Sequence, residues 1–170
     1  MGTVGVDLYG VRMYTPSLRA VEITPDNVAT ALKVKVREDQ NTFVAPVVTS
    51  LAEAYASRET VWTRLILDGD RPVAFVMADF APDEDEPDFR CGLWRLNVAE
   101  GEQGKGYGRF AVQAFLAEAR GRGNERVTVM WVPEEGGPAE FYRRLGFRET
   151  GRVFDGEVVA ELFLDPAPRP

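Results

Sequence analysis

The sequence predicts a fold of the α/β class, of the α+β type, with one mostly antiparallel mixed sheet flanked by helices. Three β-rich runs follow one another between residues 60 and 98, as in an antiparallel meander. A glycine-rich segment at residues 101–108 then leads into a helix with one apolar face. Because strand and helix periods occur in one chain of 170 residues, we expect both kinds of element to share a core.

The first predicted elements are a strand and two short helices. The run LRAVEI, which begins at Leu18, alternates as a strand does. Thr24 followed by Pro25 is typical of a helix start, with Thr24 as the N-cap. We expect that helix to carry Val28, Ala31, Leu32 and Lys35. Ser50 and Glu53 have the spacing of a capping box, so a second helix is predicted to start at Ser50.

The meander is predicted in the middle of the chain. Its first two strands, TVWTRLIL and RPVAFVMADF, are joined by Asp-Gly-Asp, which is a hairpin signal. Its third strand, FRCGLWRLNV, follows the acidic loop APDEDEPD. The three runs therefore predict neighbouring antiparallel strands.

An amphipathic helix is predicted after the glycine-rich segment. Four apolar residues are spaced i, i+3, i+4 and i+7 on the face that should pack on the sheet: Val112, Phe115, Leu116 and Ala119. The run RVTVMWV then predicts a buried strand, and PAEFYRRLG predicts a short helix that ends at its glycine. The run EVVAELFL is predicted to be the strand that closes the sheet.

We expect one domain over residues 18–165. Residues 1–17 show no hydrophobic period and predict an irregular N-terminal arm, and residues 166–170 predict a flexible tail. No internal repeat and no linker that would divide the chain is found in the sequence.

Composition limits the classes of function. A single cysteine excludes an internal disulfide framework, and the absence of histidine removes the usual zinc sites and His-based triads, so we expect no metal. The formal charge of −7 argues against nucleic-acid binding. No apolar run approaches the roughly 20 residues that span a bilayer, and the N-terminus lacks the pattern of a signal peptide. We therefore expect a cytoplasmic protein with no membrane partner.

The segment NVAEGEQGKGYGRF has the features of a phosphate-binding loop. A strand, a glycine-rich turn and a helix N-terminus direct backbone N–H groups and the positive end of a helix dipole to one point. A Walker A loop is excluded, because Ala99 and Gly106 stand where it needs glycine and Ser or Thr. The dinucleotide fingerprint is excluded, because Gly108 comes one residue too early. The pattern that fits is Q-x-x-G-x-G, from Gln103 to Gly108, and an ordinary turn is the alternative.

This Q-x-x-G-x-G loop resembles the pyrophosphate loop of the GNAT superfamily of N-acetyltransferases, whose members bind acetyl-CoA there. The family also has a helix with the pattern A-x-x-x-Y-x-x-x-G-F, and AEFYRRLGF matches it at nearly that spacing with Ala139, Tyr142, Gly146 and Phe147. Gly136 departs from the family, whose members often carry asparagine at that position. The resemblance covers roughly residues 18 to 164. It implies the GNAT fold, with a splayed pair of strands that forms an acetyl-CoA cleft, and N-acetyltransferase activity.

The resemblance also implies roles for individual residues. One strand segment would bind the pantetheine and polarise the acetyl carbonyl through free backbone groups: Leu96, Asn97 and Val98. The loop and the start of the next helix would hold the pyrophosphate: Gln103, Gly104, Lys105, Gly106, Tyr107, Gly108 and Arg109. Tyr142 stands where the family has its general acid, and a phenol with a pKa of about 10 is protonated at neutral pH and can protonate the CoA sulfur. The alternatives are core packing for Tyr142 and a solvated surface for Lys105 and Arg109.

A second segment resembles a narrower branch, the bacterial spermine/spermidine acetyltransferases. That branch has a V-x-x-x-Q-x-x-F-V segment before an S-x-A-E-A helix, and the chain matches it at Gln40, Phe43, Val44, Ser50, Ala52, Glu53 and Ala54. The match implies a polyamine acceptor and four substrate-binding residues: Gln40, Phe43, Glu53 and Trp94. The alternative explanation for Glu53 is a capping box. The alternative for Trp94 is a place in the core.

The sequence leaves the general base open. A protonated amine must lose a proton before it attacks, and without histidine a carboxylate or a water chain must take that proton. The candidates are Glu22, Glu38, Asp39, Asp79 and Glu134. A second acidic set either attracts a polycation or is a solvated loop: Asp83, Glu84, Asp85, Glu86 and Asp88.

The sequence also leaves open which amine is the acceptor and whether the chain forms a dimer. A small-molecule amine is the expected partner, and the same scaffold would support a protein N-terminus, a lysine or an antibiotic amine. A CoA-binding module without turnover is a further alternative, although Tyr142 argues against it. A homodimer is left open.

Overall fold

The structure is a computed structural model that describes residues 18–165, so the predicted N-terminal arm and C-terminal tail lie outside the described residues. The strands are β1 (Leu18–Val21), β2 (Val61–Asp68), β3 (Arg71–Phe80), β4 (Cys91–Val98), β5 (Arg126–Trp131), β6 (Arg148–Phe154) and β7 (Glu157–Phe163). The helices are α1 (Val28–Ala31), α2 (Val47–Ala56), α3 (Tyr107–Gly121) and α4 (Ala139–Arg144). Short 3-10 turns lie at Glu38–Gln40 and Pro87–Phe89.

The sheet is mixed and mostly antiparallel, as the sequence predicts. Its seven strands are arranged in the order β1-β2-β3-β4-β5-β7-β6. The first four strands pair antiparallel with their neighbours, and so do β5, β7 and β6. Within residues 18–165, the single parallel pair is β4 with β5, at the centre of the sheet.

Helices cover both faces of the sheet, because β3 is apolar on both sides. On one face, Val76 belongs to a buried cluster with Phe115 of α3. On the other face, Phe75 and Met77 belong to a cluster with residues of α1 and α2. The predicted apolar face of α3 is confirmed, since all four of its residues are buried: Val112, Phe115, Leu116 and Ala119.

The β4 and β5 strands separate soon after they meet. They pair at Gly92 with Thr128 and at Leu93 with Val129, and β4 continues to Val98 without further pairing to β5 among the described residues. A register shift lies at the same place, because Met77 of β3 pairs with Arg95 while its neighbour Ala78 pairs with Leu93. The extra residue, Trp94, forms a bulge, and bulges bend and twist a strand. The implied splayed pair of strands is therefore present in the structure.

The predicted starts of the first two helices are wrong. Thr24 opens a turn, since its carbonyl accepts from the amides of Asn27 and Val28 at 3.1 and 2.9 Å, and Asn27 is the residue before α1. That helix ends at Ala31 and does not reach Lys35, because the amides of Lys33 and Val34 bond three residues back instead of four.

Ser50 lies inside α2 and does not cap it. Its hydroxyl donates to the carbonyl of Pro46 at 3.3 Å, and Pro46 occupies the cap position. A serine that bonds to the carbonyl four residues back is an interior helix residue. The capping-box interpretation of Ser50 and Glu53 is therefore wrong.

One strand is missing from the sequence prediction. β6 lies at the edge of the sheet, and β7 lies between β5 and β6, so the run EVVAELFL does not close the sheet. The two strands are joined at Asp155 and Gly156, whose φ angles of 47° and 83° fit a two-residue hairpin turn. The sequence of β6 shows no hydrophobic alternation, because most of its residues are exposed.

No helix formed by residues 18–165 is both long enough and apolar enough to cross a membrane.

Candidate active site

A first cleft opens where β4 and β5 separate. Its volume is about 550 Å³, and it is lined by residues of β4, β5, α4, the glycine-rich loop and the segment before α2. The N-terminal end of α3 lies at this cleft, since Gly106, Gly108 and Arg109 line it. A cleft of this size beside a helix N-terminus suits an anionic ligand.

The glycine-rich loop presents free backbone donors. Gly104 and Gly106 have φ angles of 77° and 90°, which side chains other than glycine rarely adopt. A Cβ built on either residue meets no described atom within 4 Å, so both positions face open space. The amide of Phe110 bonds to the carbonyl of Gly106 at 3.0 Å, and the three amides before it have no carbonyl within the helix to bond. These amides are the donors that an anion needs.

Gly108 has a different role from the two glycines before it. A Cβ on Gly108 would lie 3.3 Å from Phe141 Cζ and 3.3 Å from Val98 Cγ2, closer than most real contacts. A Cβ at Gly108 would therefore press on packed side chains of α4 and β4. Glycine at this position allows α3 to pack closely against α4 and β4.

Tyr107 anchors the loop from behind. Its hydroxyl donates to Asp68 Oδ2 at 2.7 Å and accepts from Arg71 at 3.1 Å, and the side chain is buried. The hydrogen bond from Tyr107, together with Arg71, holds the pKa of the Asp68 carboxyl below its ordinary value. The side chain of Tyr107 is not part of the cleft wall, so its contribution to a cofactor site is restricted to its backbone amide and to this anchor.

Lys105 is engaged by the loop itself. Its ammonium donates to Glu102 at 3.0 Å, and Glu102 also pairs with Arg71. Arg109, by contrast, lines the first cleft from the first turn of α3. The structure therefore brings Arg109, and not Lys105, to the cleft wall.

Tyr142 is part of the wall of the first cleft. Its ring stacks on Trp131 at a centroid distance of 5.7 Å and meets Phe141 and Phe147 edge-on. The residue lines the cleft although only 6% of its surface is exposed. Burial alone raises the pKa of the Tyr142 phenol above its ordinary value, without a contribution from a described charge or hydrogen bond. The Tyr142 phenol is therefore neutral at physiological pH.

The three strand residues assigned to the pantetheine differ in orientation. Leu96 and Val98 line the first cleft. Asn97 is fully buried, and its amide donates to the carbonyl of Ala45 at 3.0 Å. The side chain of Asn97 therefore fastens the segment before α2 and does not line the cleft.

A second cleft meets the first at the splayed strands. It has a volume of about 650 Å³ and is lined by residues of β4, the β3–β4 loop, the β6–β7 turn and the segment before α2. The two clefts share six residues: Phe43, Val44, Leu93, Trp94, Val129 and Met130. The two clefts therefore adjoin at these six residues, where β4 and β5 begin to separate.

The second cleft is acidic. Five carboxylate residues line it: Asp79, Glu84, Asp88, Asp155 and Glu157. Among the described lining residues, Arg95 is the single basic side chain, and it pairs with Glu53 at 3.3 Å. The lining of this cleft therefore favours a cationic ligand.

Three of the four residues assigned to the substrate lie in the clefts. Phe43 and Trp94 line both, and Gln40 lines the first. Trp94 is 37% exposed, so the core alternative for it is wrong. Glu53 lies on α2 beyond both cleft walls, where it pairs with Arg95.

The carboxylates of the acidic loop lie in different environments. Asp88 is buried and pairs with Arg126 at 2.6 Å and with Arg152, so it is neutralised within the fold. Asp83, Glu84 and Asp85 are exposed, and of these three Glu84 lines the second cleft. The loop is therefore part solvated surface and part cleft wall.

Asp79 is the one candidate base that lines a cleft. Its Oδ1 is buried without a hydrogen-bond partner among the described residues. Glu22 pairs with Arg64 at 3.6 Å, and Asp39 pairs with Arg37 at 2.9 Å. Glu38 and Glu134 are outside the walls of both clefts.

Sequence reasoning missed a residue of the second cleft and two residues that anchor the glycine-rich loop. Asp155 lies in the hairpin turn before β7, and the Asp-Gly pair there was the available signal. Asp68 and Arg71 anchor the glycine-rich loop from the β2–β3 turn, 39 and 36 residues before Tyr107 in the sequence. No sequence spacing indicates that contact, because it is made by the tertiary fold.

The comparison with protein families gives one match. A model of the acetyltransferase (GNAT) family matches residues 31–147. No match was found among curated proteins.

Solved structures share the fold at low sequence identity. An acetyltransferase from Thermus thermophilus is 20% identical, with a TM-score of 0.69 over 89% of this chain and 100% of that one. The ribosomal-protein-S18-alanine N-acetyltransferase from Escherichia coli is 17% identical, with a TM-score of 0.63 over 89% and 96% of the two chains. A GNAT family acetyltransferase from Elizabethkingia anophelis with acetyl-CoA bound is 14% identical, with a TM-score of 0.60 over 86% and 98%.

Proposed function

The chain belongs to the acetyltransferase (GNAT) family, and from that premise we propose that it transfers the acetyl group of acetyl-CoA to a primary amine of a polyamine such as spermidine or spermine. The observation that carries the proposal is the junction of the two clefts. One cleft has anion donors and a buried phenol, the other has a carboxylate lining, and they meet between β4 and β5. This arrangement suits a reaction between an anionic thioester and a cationic amine.

The first cleft fits acetyl-CoA. The amides at the start of α3 are donors for the pyrophosphate, with Arg109 beside them, and the open space at Gly104 and Gly106 allows close approach. The unpaired edge of β4 from Trp94 to Val98 offers backbone groups to the pantetheine amides and to the acetyl carbonyl. Acetyl-CoA supplies the activated acetyl group, and these residues hold and orient it.

Tyr142 is assigned as the general acid. When the amine attacks and the thioester bond breaks, the sulfur leaves as a thiolate that must be protonated. The phenol lies in the cleft wall and stays protonated because burial raises its pKa. Its stacking on Trp131 limits the motion of the ring, so the donor is already oriented.

The second cleft is assigned to the acceptor. A polyamine is a flexible polycation with several ammonium groups, and Glu84, Asp155 and Glu157 provide carboxylates along the cleft. Aromatic faces add to this, because Phe43 and Trp94 line the cleft where an ammonium would approach the gap.

Asp79 is assigned as the group that binds the reacting ammonium and takes its proton. A buried carboxylate oxygen without a donor is costly, and a substrate ammonium would supply that donor. The proton passes from nitrogen to this carboxylate, directly or through water, and then to solvent. The neutral amine can then attack the acetyl carbonyl.

The proposal is tested by a screen of amines with acetyl-CoA, in which release of the CoA thiol is measured. The panel contains spermidine, spermine, monoamines of similar length, lysine, an aminoglycoside and a peptide with a free N-terminus. Spermidine or spermine is expected to give the highest kcat/KM. A higher value for the peptide or the aminoglycoside would contradict the polyamine assignment while leaving the acetyltransferase activity in place.

The protein's own thiol does not disturb this assay. Cys91, the single cysteine of the chain, is buried in β4. Burial raises the pKa of its thiol to about 12, so the reactive thiolate is scarce at neutral pH. The thiol measured is therefore that of CoA.

A further inference from the structure

One segment borders both clefts. Residues 36–45 connect α1 to α2, and within them Val36 and Gln40 line the first cleft. Asn41, Thr42 and Ala45 line the second cleft, and Phe43 and Val44 line both. We call residues 36–45 the bridging segment. Its position determines the shape of the proposed acceptor cleft next to the proposed acetyl-CoA cleft.

The bridging segment is attached to the glycine-rich loop by two glutamine side chains. Gln40 Nε2 donates to Gln103 Oε1 at 3.3 Å, and Gln103 Nε2 donates to Gln40 Oε1 at 2.5 Å. Gln103 Nε2 also lies 3.3 Å from the carbonyl of Val98, at the end of β4. The contact is half-buried and joins residues 63 positions apart in the sequence. The side-chain amides of Gln40 and Gln103 therefore serve as hydrogen-bond partners for each other.

Other bonds hold the two ends of the segment. The amide of Glu100 donates to the carbonyl of Lys35 at 2.7 Å, and Asn97 donates to the carbonyl of Ala45 at 3.0 Å. The middle of the segment, at the 3-10 turn Glu38–Gln40, is attached through Gln40. The Gln40–Gln103 pair thus fixes the part of the segment that lies between its anchored ends.

Ordering of one glutamine favours ordering of the other. A glutamine side chain loses considerable rotamer freedom when it is fixed, and each hydrogen bond offsets that loss only if its partner is already in place. A ligand that fixes the glycine-rich loop also fixes Gln103, so the cost of ordering Gln40 falls. The bridging segment is then held more firmly, and by linkage the effect operates in both directions.

We propose that Gln40 is a positioning residue, which couples occupation of the glycine-rich loop by CoA to ordering of the bridging segment on the acceptor cleft. This inference rests on the proposed function only in placing CoA at the loop. It assigns Gln40 to a contact with Gln103, in place of the substrate contact that the sequence implies.

The test is amide hydrogen exchange measured by NMR, with and without saturating CoA. The amide of Asn41 is the reporter, because it bonds to the carbonyl of Glu38 at 3.2 Å and its residue lines only the second of the two clefts. In the wild-type protein we expect CoA to slow the exchange of this amide by about fivefold or more, the range of ordinary coupling. In Gln40→Ala we expect CoA to change the exchange rate of the Asn41 amide by less than about twofold. CoA affinity measured by calorimetry should stay within a few-fold of the wild-type value.

Two further variants separate positioning from loss of structure. Glu38→Ala alters the same 3-10 turn without touching Gln103, and it should behave as the wild type. Gln40→Glu keeps an acceptor for Gln103 but loses the donor, so it should give an intermediate slowing.

Three outcomes would overturn the inference. Equal slowing of Asn41 in Gln40→Ala and wild type, with CoA bound to both, would show that the coupling does not pass through Gln40. A loss of CoA affinity by about 100-fold or more in a folded Gln40→Ala protein would make Gln40 a direct cofactor ligand. A wild-type protein that binds no CoA would overturn the proposed function as well, which distinguishes that failure from the other two.

Discussion

At the residue scale, the place of Tyr142 in the core is compatible with its proposed role as the general acid. Its ring packs against Trp131, Phe141 and Phe147, as the core alternative requires, while the same residue forms part of the cleft wall. Burial keeps the phenol protonated, and a proton donor must be protonated before the thiolate leaves. The two interpretations of Tyr142 are thus compatible.

The first prediction concerns the hydroxyl of Tyr142. Tyr142→Phe removes that hydroxyl and keeps the ring, so turnover should fall by about 10²-fold or more while acetyl-CoA affinity stays within a few-fold. Steady-state kinetics and calorimetry measure the two quantities. Tyr55→Phe is the matched control, because Tyr55 is 77% exposed on α2 and lines neither cleft. Unchanged turnover in Tyr142→Phe would assign the residue to packing alone.

The second prediction concerns Asp79 and pH. If Asp79 takes the proton of the acceptor ammonium, Asp79→Asn should lower kcat/KM by about 10²-fold at neutral pH. Above a pH of about 10 the amine is already neutral, so the defect should shrink as the pH rises toward that value. Asp26→Asn, at an exposed carboxylate beyond both clefts, should show neither effect. A defect of constant size at all pH values would remove Asp79 from proton transfer.

At the scale of elements, the sequence predicts best what periodicity determines. The meander strands β2 to β4 and the helix α3 have long hydrophobic patterns, and the structure has them at nearly the predicted residues. Short elements are governed by tertiary contacts instead. α1 has four residues and β6 is mostly exposed, so neither leaves a strong pattern.

The sequence predicts the parts of the site that are local motifs and misses the parts that tertiary contacts bring together. The glycine-rich loop and Tyr142 are local motifs and were predicted as such. The acidic lining of the second cleft comes from β3, the β3–β4 loop, the β6–β7 turn and the start of β7, which only the fold brings together. The burial of Asp88 depends on Arg126 and Arg152, 38 and 64 residues away. A run of carboxylates in the sequence does not show which of them is neutralised.

The third prediction concerns the glycine-rich loop. Gly106→Val places a branched side chain at a φ of 90° and beside the phosphate amides, so CoA affinity should fall by at least about 100-fold. The backbone strain should cost about 1–3 kcal/mol of stability. Calorimetric titration with CoA and thermal unfolding measure the two effects.

Gly123 provides a matched control for this strain. It lies just beyond the C-terminal end of α3 with a φ of 79°, and a Cβ there also meets no atom within 4 Å. Gly123→Val should therefore lose similar stability and keep CoA affinity. Equal CoA affinities in the two folded variants would contradict the phosphate-loop assignment.

At the scale of the whole molecule, the net charge of −7 acts on every cationic acceptor, but the second cleft should act more strongly. Glu84 and Asp155 line that cleft, whereas Asp83 and Asp85 are exposed in the same acidic loop and do not line it. The two pairs therefore separate local from global attraction, because neutralising either pair changes the net charge equally.

The fourth prediction compares these two pairs. Glu84→Gln with Asp155→Asn should raise the KM for spermidine by about threefold or more at low salt, and Asp83→Asn with Asp85→Asn should change it less. Raising the ionic strength should raise the wild-type KM and reduce the difference between the two double variants. Equal effects of both pairs would show that the acceptor responds to net charge and not to the cleft.

We propose that acetyl-CoA and the amine meet at the gap between β4 and β5, beside Tyr142. A crystal structure of the protein with CoA bound tests it most directly. We expect the pyrophosphate on the amides between Gly104 and Arg109, the pantetheine along β4, and the sulfur within hydrogen-bond distance of the Tyr142 hydroxyl. CoA bound with its pyrophosphate away from that loop, or with its sulfur out of reach of Tyr142, would contradict the account.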